Sequence, residues 1–188
     1  DFTVAKKGKA KAEAAPDKPI VGDGGNDKLK GTGGHDTING KGGADTLSGL
    51  AGDDTLIGGL GKNAYLFGKG DGQDQITGTT SDTTAGKLNT LQFKAGVLPS
   101  ELVLKQVADA YWGGNAALEV SIAGTTDKVT ISGFFQGNNP SGAYNPVQQF
   151  KFADGPTWSL AGILSVLSAG TAAAETLRRL LRIGGDDQ

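Results

Sequence analysis

The chain has 188 residues, 32 of them glycine, 6 proline and none cysteine or methionine, and 18 Lys+Arg against 20 Asp+Glu leave a net charge of −2. Absent cysteine excludes disulfides, thiolate zinc sites and cysteine nucleophiles, and a single histidine, His35, leaves little imidazole chemistry, so any bound metal must prefer oxygen. The balanced charge offers no basic field for nucleic acid, no apolar run reaches the roughly eighteen residues of a membrane-spanning helix, and with 37% hydrophobic residues the glycine excess is neither collagen nor linker but patterned.

Residues 1–20 hold five lysines, Lys6, Lys7, Lys9, Lys11 and Lys18, among alanines, and read as a linker. The chain opens at Asp1 with neither an initiator Met nor the apolar core of a signal peptide, so it is expected to be a piece of a longer polypeptide.

Between Val21 and Ile76 a nine-residue repeat holds 17 of the 32 glycines. The units run GDGGNDKLK (22–30), GTGGHDTIN (31–39), GKGGADTLS (40–48), GLAGDDTLI (49–57) and GGLGKNAYL (58–66), with KGDGQDQI (69–76) following after a two-residue insertion. Glycine fills positions one and four of each full unit. Position six is Asp27, Asp36, Asp45, Asp54 and Asn63, then Asp74; position eight is Leu29, Ile38, Leu47, Leu56 and Tyr65, then Ile76. No GxxxxGK[ST] pattern makes these glycines a phosphate cradle.

One apolar residue in nine cannot form a helical stripe but can fill the inside of a short strand, so each unit's last three residues are predicted strands. The glycine-rich six before them are turns with positive φ. Two strands and two turns close a coil of 18 residues, which places Asp27 over Asp45 and Asp36 over Asp54 in a parallel roll. Parallel strands stack about 4.8 Å apart, and calcium takes oxygens at about 2.3 to 2.6 Å, so a carboxylate from each rung reaches one Ca²⁺; Mg²⁺, which demands tighter octahedral geometry and keeps its waters, fits less well. Without a cation the paired carboxylates repel by about 1 to 3 kcal/mol. One buried side chain per nine ordered backbones does not offset that, so residues 22–76 are expected to fold only as calcium binds.

These units resemble the GGxGxDxUx nonapeptides of the RTX (repeats-in-toxin) family, the calcium-binding β-roll. The resemblance implies ions held by carbonyls of positions two and four with the position-six carboxylate of one rung, and by carbonyls of positions one and three with the position-six carboxylate of the next. One site would then use Asp23, Gly25 and Asp27 with Gly40, Gly42 and Asp45, and a second Thr32, Gly34 and Asp36 with Gly49, Ala51 and Asp54. A third, weakened by neutral Asn63, would join Lys41, Gly43 and Asp45 to Gly58, Leu60 and Asn63; a fourth would join Leu50, Gly52 and Asp54 to Lys69, Asp71 and Asp74 if the insertion leaves the stacking intact. Glycine is missing at position two in Asp23, Thr32, Lys41 and Leu50, a departure from the family pattern.

From Thr77 to Ser159 alternation replaces glycine: Leu91 and Phe93, Leu102 and Leu104, Leu118, Val120 and Ile122, Val129 and Ile131, Phe150 and Phe152. Period two predicts half-buried antiparallel strands, separated by turns at Gly96, Gly113-Gly114, Gly124, Gly137 and Gly155. Trp112, Phe134, Phe135, Phe150, Phe152 and Trp158 are expected in the core there, and these strands are expected to cover the open end of the roll. Residues 64–159 are similar to the domain that follows the last repeats in bacterial RTX proteins. Over 160–188 a helix is predicted, with Thr171 as N-cap, Leu177, Leu180 and Leu181 on one face, Arg178, Arg179 and Arg182 at its negative end and Gly184 as stop.

The fold expected is thus all-β: a parallel β-roll, a right-handed solenoid of nonapeptide repeats, capped by antiparallel strands, with a short C-terminal helix. The divisions are 1–20 linker, 21–76 roll, 77–159 cap and 160–188 tail. By resemblance, the chain is a Ca²⁺-binding segment of a secreted bacterial toxin, adhesin, S-layer protein or hydrolase, and the tail resembles a type I secretion signal. Its partners would be the type I secretion machinery and, through the parent protein, a host-cell or surface ligand; it would act as a monomer outside the cell or at its surface. No catalytic constellation is present, His35 standing alone in a turn, and no enzyme is expected. A different reading makes it a calcium-dependent adhesive or carbohydrate-binding module, with Tyr111, Trp112 and Tyr144 as the surface to test.

Overall fold

The computed structural model describes residues 19–78, 82–84 and 86–170. The linker lysines and the helix cap, arginines and leucines expected from Thr171 onward lie outside the described residues.

Short strands occur where position eight predicts them. They are β1 (Ile20–Val21), β2 (Lys28–Lys30), β3 (Thr37–Asn39), β5 (Thr46–Ser48), β6 (Thr55–Ile57), β8 (Ala64–Phe67) and β9 (Gln73–Ile76), with β4 (Gly42–Gly43) and β7 (Leu60–Gly61) bridging two turns. The remaining strands are β10 (Thr90–Phe93), β11 (Leu102–Val107), β12 (Ala117–Ile122), β13 (Lys128–Ile131), β14 (Gln149–Phe152) and β15 (Thr157–Ser159). Alternate units go to alternate sheets. One sheet orders β1-β3-β6-β9-β13-β12-β11 and the other β2-β5-β8-β10-β14-β15.

The 18-residue coil is visible in the register, where Leu29 pairs with Leu47 and Ile38 with Leu56. The two-residue insertion is absorbed in a turn, since Leu56 still meets Ile76. Two apolar columns result. Leu29, Leu47, Tyr65, Leu91 and Phe150 run through one sheet, and Ile20, Ile38, Leu56, Ile76 and Ile131 through the other. From Ile38 and Leu47 onward every member is buried, so one continuous core runs from the roll into the strands that follow.

Those strands depart from expectation in direction. β10, β13 and β14 join parallel to the strand before them, and only β11–β12–β13 and β14–β15 are antiparallel. Period two reports which face is buried, not which way the chain runs, and the last rung of a parallel roll offers a ready parallel template. The roll is therefore extended by one parallel rung on one side and two on the other before hairpins close it.

The aromatic residues divide. Phe134, Phe150 and Phe152 are buried, Phe93 stacks on Phe152 at 4.9 Å between centroids, and Trp158 packs edge-on to Phe152 at 5.2 Å. Trp112, expected in the core, is half-buried at its margin, its indole nitrogen buried beside Gly133 and its ring 4.9 Å from those of the exposed Tyr111 and Tyr144. The helix begins at residue 160, ahead of the cap expected at Thr171. Ser159 Oγ accepts the Gly162 amide at 3.3 Å, and Leu160, Ile163, Leu164 and Leu167 lay an i, i+3, i+4, i+7 stripe on the core. Among the described residues no helix is long and apolar enough to cross a membrane.

Candidate metal centre

The position-six side chains form two ladders inside the roll's turns, one along each sheet. Asp36, Asp45, Asp54, Asn63 and Asp74 are all buried. From Asp45 onward each side chain lends one oxygen to the backbone N–H of its counterpart a rung earlier. Asp27 N–H donates to Asp45 Oδ1 at 2.9 Å, Asp36 N–H to Asp54 Oδ1 at 2.7 Å, Asp54 N–H to Asp74 Oδ1 at 3.1 Å and Asp45 N–H to Asn63 Oδ1 at 3.0 Å.

The second oxygens differ along the ladder. Asp27 Oδ2 accepts the Asp23 N–H at 2.9 Å, and Asp36 Oδ2 the Thr32 N–H at 2.6 Å and its hydroxyl at 2.9 Å. In the next turns position two enters the left-handed region, Lys41 at φ 69° and Leu50 at φ 75°, and the Lys41 amide is spent on Asn39 Oδ1. Asp45 Oδ2, Asp54 Oδ2 and Asp74 Oδ2 are then buried with no hydrogen-bond partner. Burial pushes all three carboxyls up, helped at Asp45 by the charges of Asp27 and Asp23, and at Asp74 by Asp54 and Asp71; Asp74 reaches about 7. A buried, unpartnered carboxylate oxygen is costly unless a proton or a cation meets it.

Backbone carbonyls face these oxygens across bare glycine α-carbons. A Cβ on Gly22 would collide with Asp27 Oδ2 and stand 2.9 Å from the Gly40 carbonyl oxygen. On Gly31 it would collide with the Gly49 carbonyl and lie 2.8 Å from Asp36 Oδ2; on Gly40 it would collide with Asp45 Oδ2 and lie 2.8 Å from the Gly58 carbonyl. Position-four carbonyls stack from rung to rung in the same turns, those of Gly25, Gly34, Gly43 and Gly52 lying against the α-carbons of Gly43, Gly52, Gly61 and Gly72. The turns thus gather hard oxygen donors, one carboxylate per rung with main-chain carbonyls between. Among the described residues no three acidic or imidazole side chains converge, so side chains alone make no cage. This donor set suits calcium, which accepts many oxygens in irregular geometry, better than zinc.

The structure brings Asp27, Gly40 and Asp45 together, likewise Asp36, Gly49 and Asp54, and likewise Asp45, Gly58 and Asn63. The Gly25 and Gly34 carbonyls lie against Gly43 and Gly52 on the next rung, while Gly42 and Leu60 sit opposite one another in the β4–β7 bridge. The Lys41 carbonyl accepts the Leu60 amide at 2.9 Å, and the Ala51 side chain lies exposed in its turn. Asp23 spends its carboxylate on the Gly25 amide at 2.6 Å. The fourth set differs. Asp54 and Asp74 stack, yet Asp71 is held by the Lys94 ammonium at 2.7 and 2.8 Å and by the Gly68 amide, its carbonyl takes the Gly52 amide, and Lys69 turns outward to Glu101. His35 is exposed, its Nδ1 3.0 Å from the Asp53 carbonyl oxygen on the next rung.

Sequence reasoning stopped the ladder at Asn63, but it continues. Asn63 N–H donates to Asn89 Oδ1 and Asn89 N–H to Gln148 Oε1, both at 2.8 Å. The signal was present, since Asn89-Thr90-Leu91 repeats the spacing of Asp45-Thr46-Leu47. Asp127, whose carboxylate accepts the Gly70 and Gly72 amides at 2.8 and 3.0 Å, stands before Lys128-Val129 as Asp27 stands before Lys28-Leu29.

Residues 20–47, 30–65 and 39–74 match the family model described as RTX calcium-binding nonapeptide repeat (4 copies). Residues 118–161 match the haemolysin-type calcium binding protein related domain. No curated protein matches the chain.

Proposed function

Over residues 20–74 the chain belongs to the RTX calcium-binding nonapeptide-repeat family, and from that premise we propose that it is the calcium-folded segment of a secreted bacterial toxin, adhesin or hydrolase exported by a type I system. The observation that carries the reading is three ladder carboxylates, Asp45 in one ladder and Asp54 stacked with Asp74 in the other, each with one buried oxygen that the fold leaves without a partner. Where calcium is scarce, as inside a cell, these oxygens oppose closure of the turns and keep the roll open for passage through a narrow channel. Calcium outside supplies the missing charge and the rungs close.

The ligand sets are those of the stacked turns: Asp23, Gly25 and Asp27 with Gly40, Gly42 and Asp45; Thr32, Gly34 and Asp36 with Gly49, Ala51 and Asp54; and, more weakly, Lys41, Gly43 and Asp45 with Gly58, Leu60 and Asn63. A fourth set of Leu50, Gly52 and Asp54 with Lys69, Asp71 and Asp74 competes with Lys94 for Asp71. In this division of labour 21–76 holds the metal, 77–159 caps the roll, 160–188 carries the export signal, and no part is catalytic. The test is far-UV circular dichroism in EGTA titrated with CaCl₂ against MgCl₂, for the unaltered chain and Asp45→Ala. A steep calcium-specific gain of sheet, moved to higher calcium by Asp45→Ala, is expected. A sheet spectrum in EGTA that calcium leaves unchanged removes the reading.

A further inference from the structure

Away from the metal ladders, the loop 109–116 and the turn 133–138 enclose an open groove of ≈ 330 Å³. That volume falls at the small end of ligand sites, which run from about 300 to 1,000 Å³. Its polar lining is four carboxamides, those of Gln106, Asn115, Gln136 and Asn138, and no charged residue lines it. Gln106 Nε2 is tied to the Asn115 carbonyl at 2.7 Å. The side chains of Asn115, Gln136 and Asn138 make no hydrogen bond among the described residues. Phe135, 8% exposed, lies at the groove's floor.

The groove's rim is held in place. Asp109 is buried, and its carboxylate accepts the Tyr111, Trp112 and Gly133 amides at 2.9, 3.1 and 2.8 Å together with the Ser132 hydroxyl at 3.0 Å. Its own amide donates to the Gly114 carbonyl and its carbonyl accepts the Gly113 amide, both at 2.9 Å. One carboxylate thereby fixes both walls. Beside the groove but outside its lining, Tyr111 on this loop is 63% exposed and Tyr144, from a separate turn, 39%, with Trp112 packed between them. An aromatic ring held out in water on a fixed turn contributes nothing to the core.

We propose that this groove binds a neutral saccharide, the carboxamides meeting sugar hydroxyls and the Tyr111–Trp112–Tyr144 cluster offering rings for the apolar face of an adjoining unit. Carboxamides both donate and accept, as hydroxyls do, so a polyol satisfies them without a net charge. A phosphate, carboxylate or ammonium ligand would find no counter-charge in the groove, and a purely apolar one would strand the carboxamides it covers. A preformed rim lowers the ordering cost that weak sugar contacts must exceed.

The site does not depend on the calcium reading, and one experiment separates the two. The full chain in CaCl₂ is applied to an array of neutral and sialylated glycans, beside Tyr111→Ala, Gln136→Ala, Asn138→Gly and the roll variant Gly24→Ala, with a circular dichroism spectrum of each. Retention on neutral glycans is expected, weakened about tenfold or more by each groove variant that keeps the unaltered spectrum. Gly24→Ala, in the roll with open space around it, is expected to bind like the unaltered chain. Silence on every neutral glycan, retention on sialylated glycans alone, or binding that the three groove variants leave unchanged would overturn the proposal. None of these outcomes touches the calcium titration.

Discussion

Residue identity in the turns is set by what stands on the next rung. Gly43 adopts φ 113°, and a Cβ there would run into the Gly25 carbonyl, whereas Gly24 has open space around it. Gly43→Ala is therefore expected to cost about 1 to 3 kcal/mol of calcium-saturated stability by urea denaturation, and Gly24→Ala to stay within about 0.5 kcal/mol; equal losses would mean the rungs are not this close. The aspartates make a second prediction. With folded values raised above the unfolded value near 3.8, Asp45, Asp54 and Asp74 bind protons more tightly in the metal-free fold than in the open chain. Their burial is thus tolerated in acid, and stability falls as pH rises through their folded values, which for Asp74 is about 7. In a chelator, sheet content is expected to be highest near pH 4 to 5 and to drop by about pH 8, the reverse of the calcium-saturated trend, in which protons compete with the ion. Metal-free sheet content that is flat or rises over that range would contradict the ladder electrostatics.

At the scale of a rung, the two ladders are not equivalent. One runs Asp36, Asp54, Asp74; the other passes from Asp27 and Asp45 to Asn63, Asn89 and the amide of Gln148, keeping the hydrogen bond to the preceding amide while losing the charge. Asn63→Asp restores a carboxylate opposite Asp45 without disturbing that bond. Calorimetry is expected to find one further calcium ion and a lower folding midpoint, and unchanged stoichiometry would place the third set outside the metal-binding turns. The pairing of position six with position six was legible because glycine and Asp recur every nine residues, and the register follows from 18 residues per coil. What lay beyond reach has a physical cause in each case. Asn89 sits in a non-repetitive segment, so its role emerges only when β10 is seen stacked on β8. Lys94 and Asp127 reach the last turns from residues distant in sequence, 23 from Asp71 and 57 from Gly70, and alternation in β10, β13 and β14 is silent on direction.

For the whole molecule, the roll and the strands after it share one core, so neither is expected to melt alone once calcium is bound. Phe93 joins the column of Phe67 and Phe152 at the point where repeats give way to irregular sequence. Phe93→Ala is expected to remove about 3 to 5 kcal/mol at saturating calcium, with the whole sheet signal lost in one transition. A loss below about 1 kcal/mol, or two separate transitions, would show that the halves stand independently. The alternation of units between two sheets also has a mechanical consequence. A strand in mid-roll is held by a neighbour on each side of its own sheet, whereas β1 and β2 are edge strands with one neighbour each. Tension applied near residue 19 should therefore peel the solenoid from that end in sequential steps. Each step would release one nonapeptide, about 30 Å of contour, and each would become stiffer as calcium rises, until the chain meets the hairpins that lock the far end.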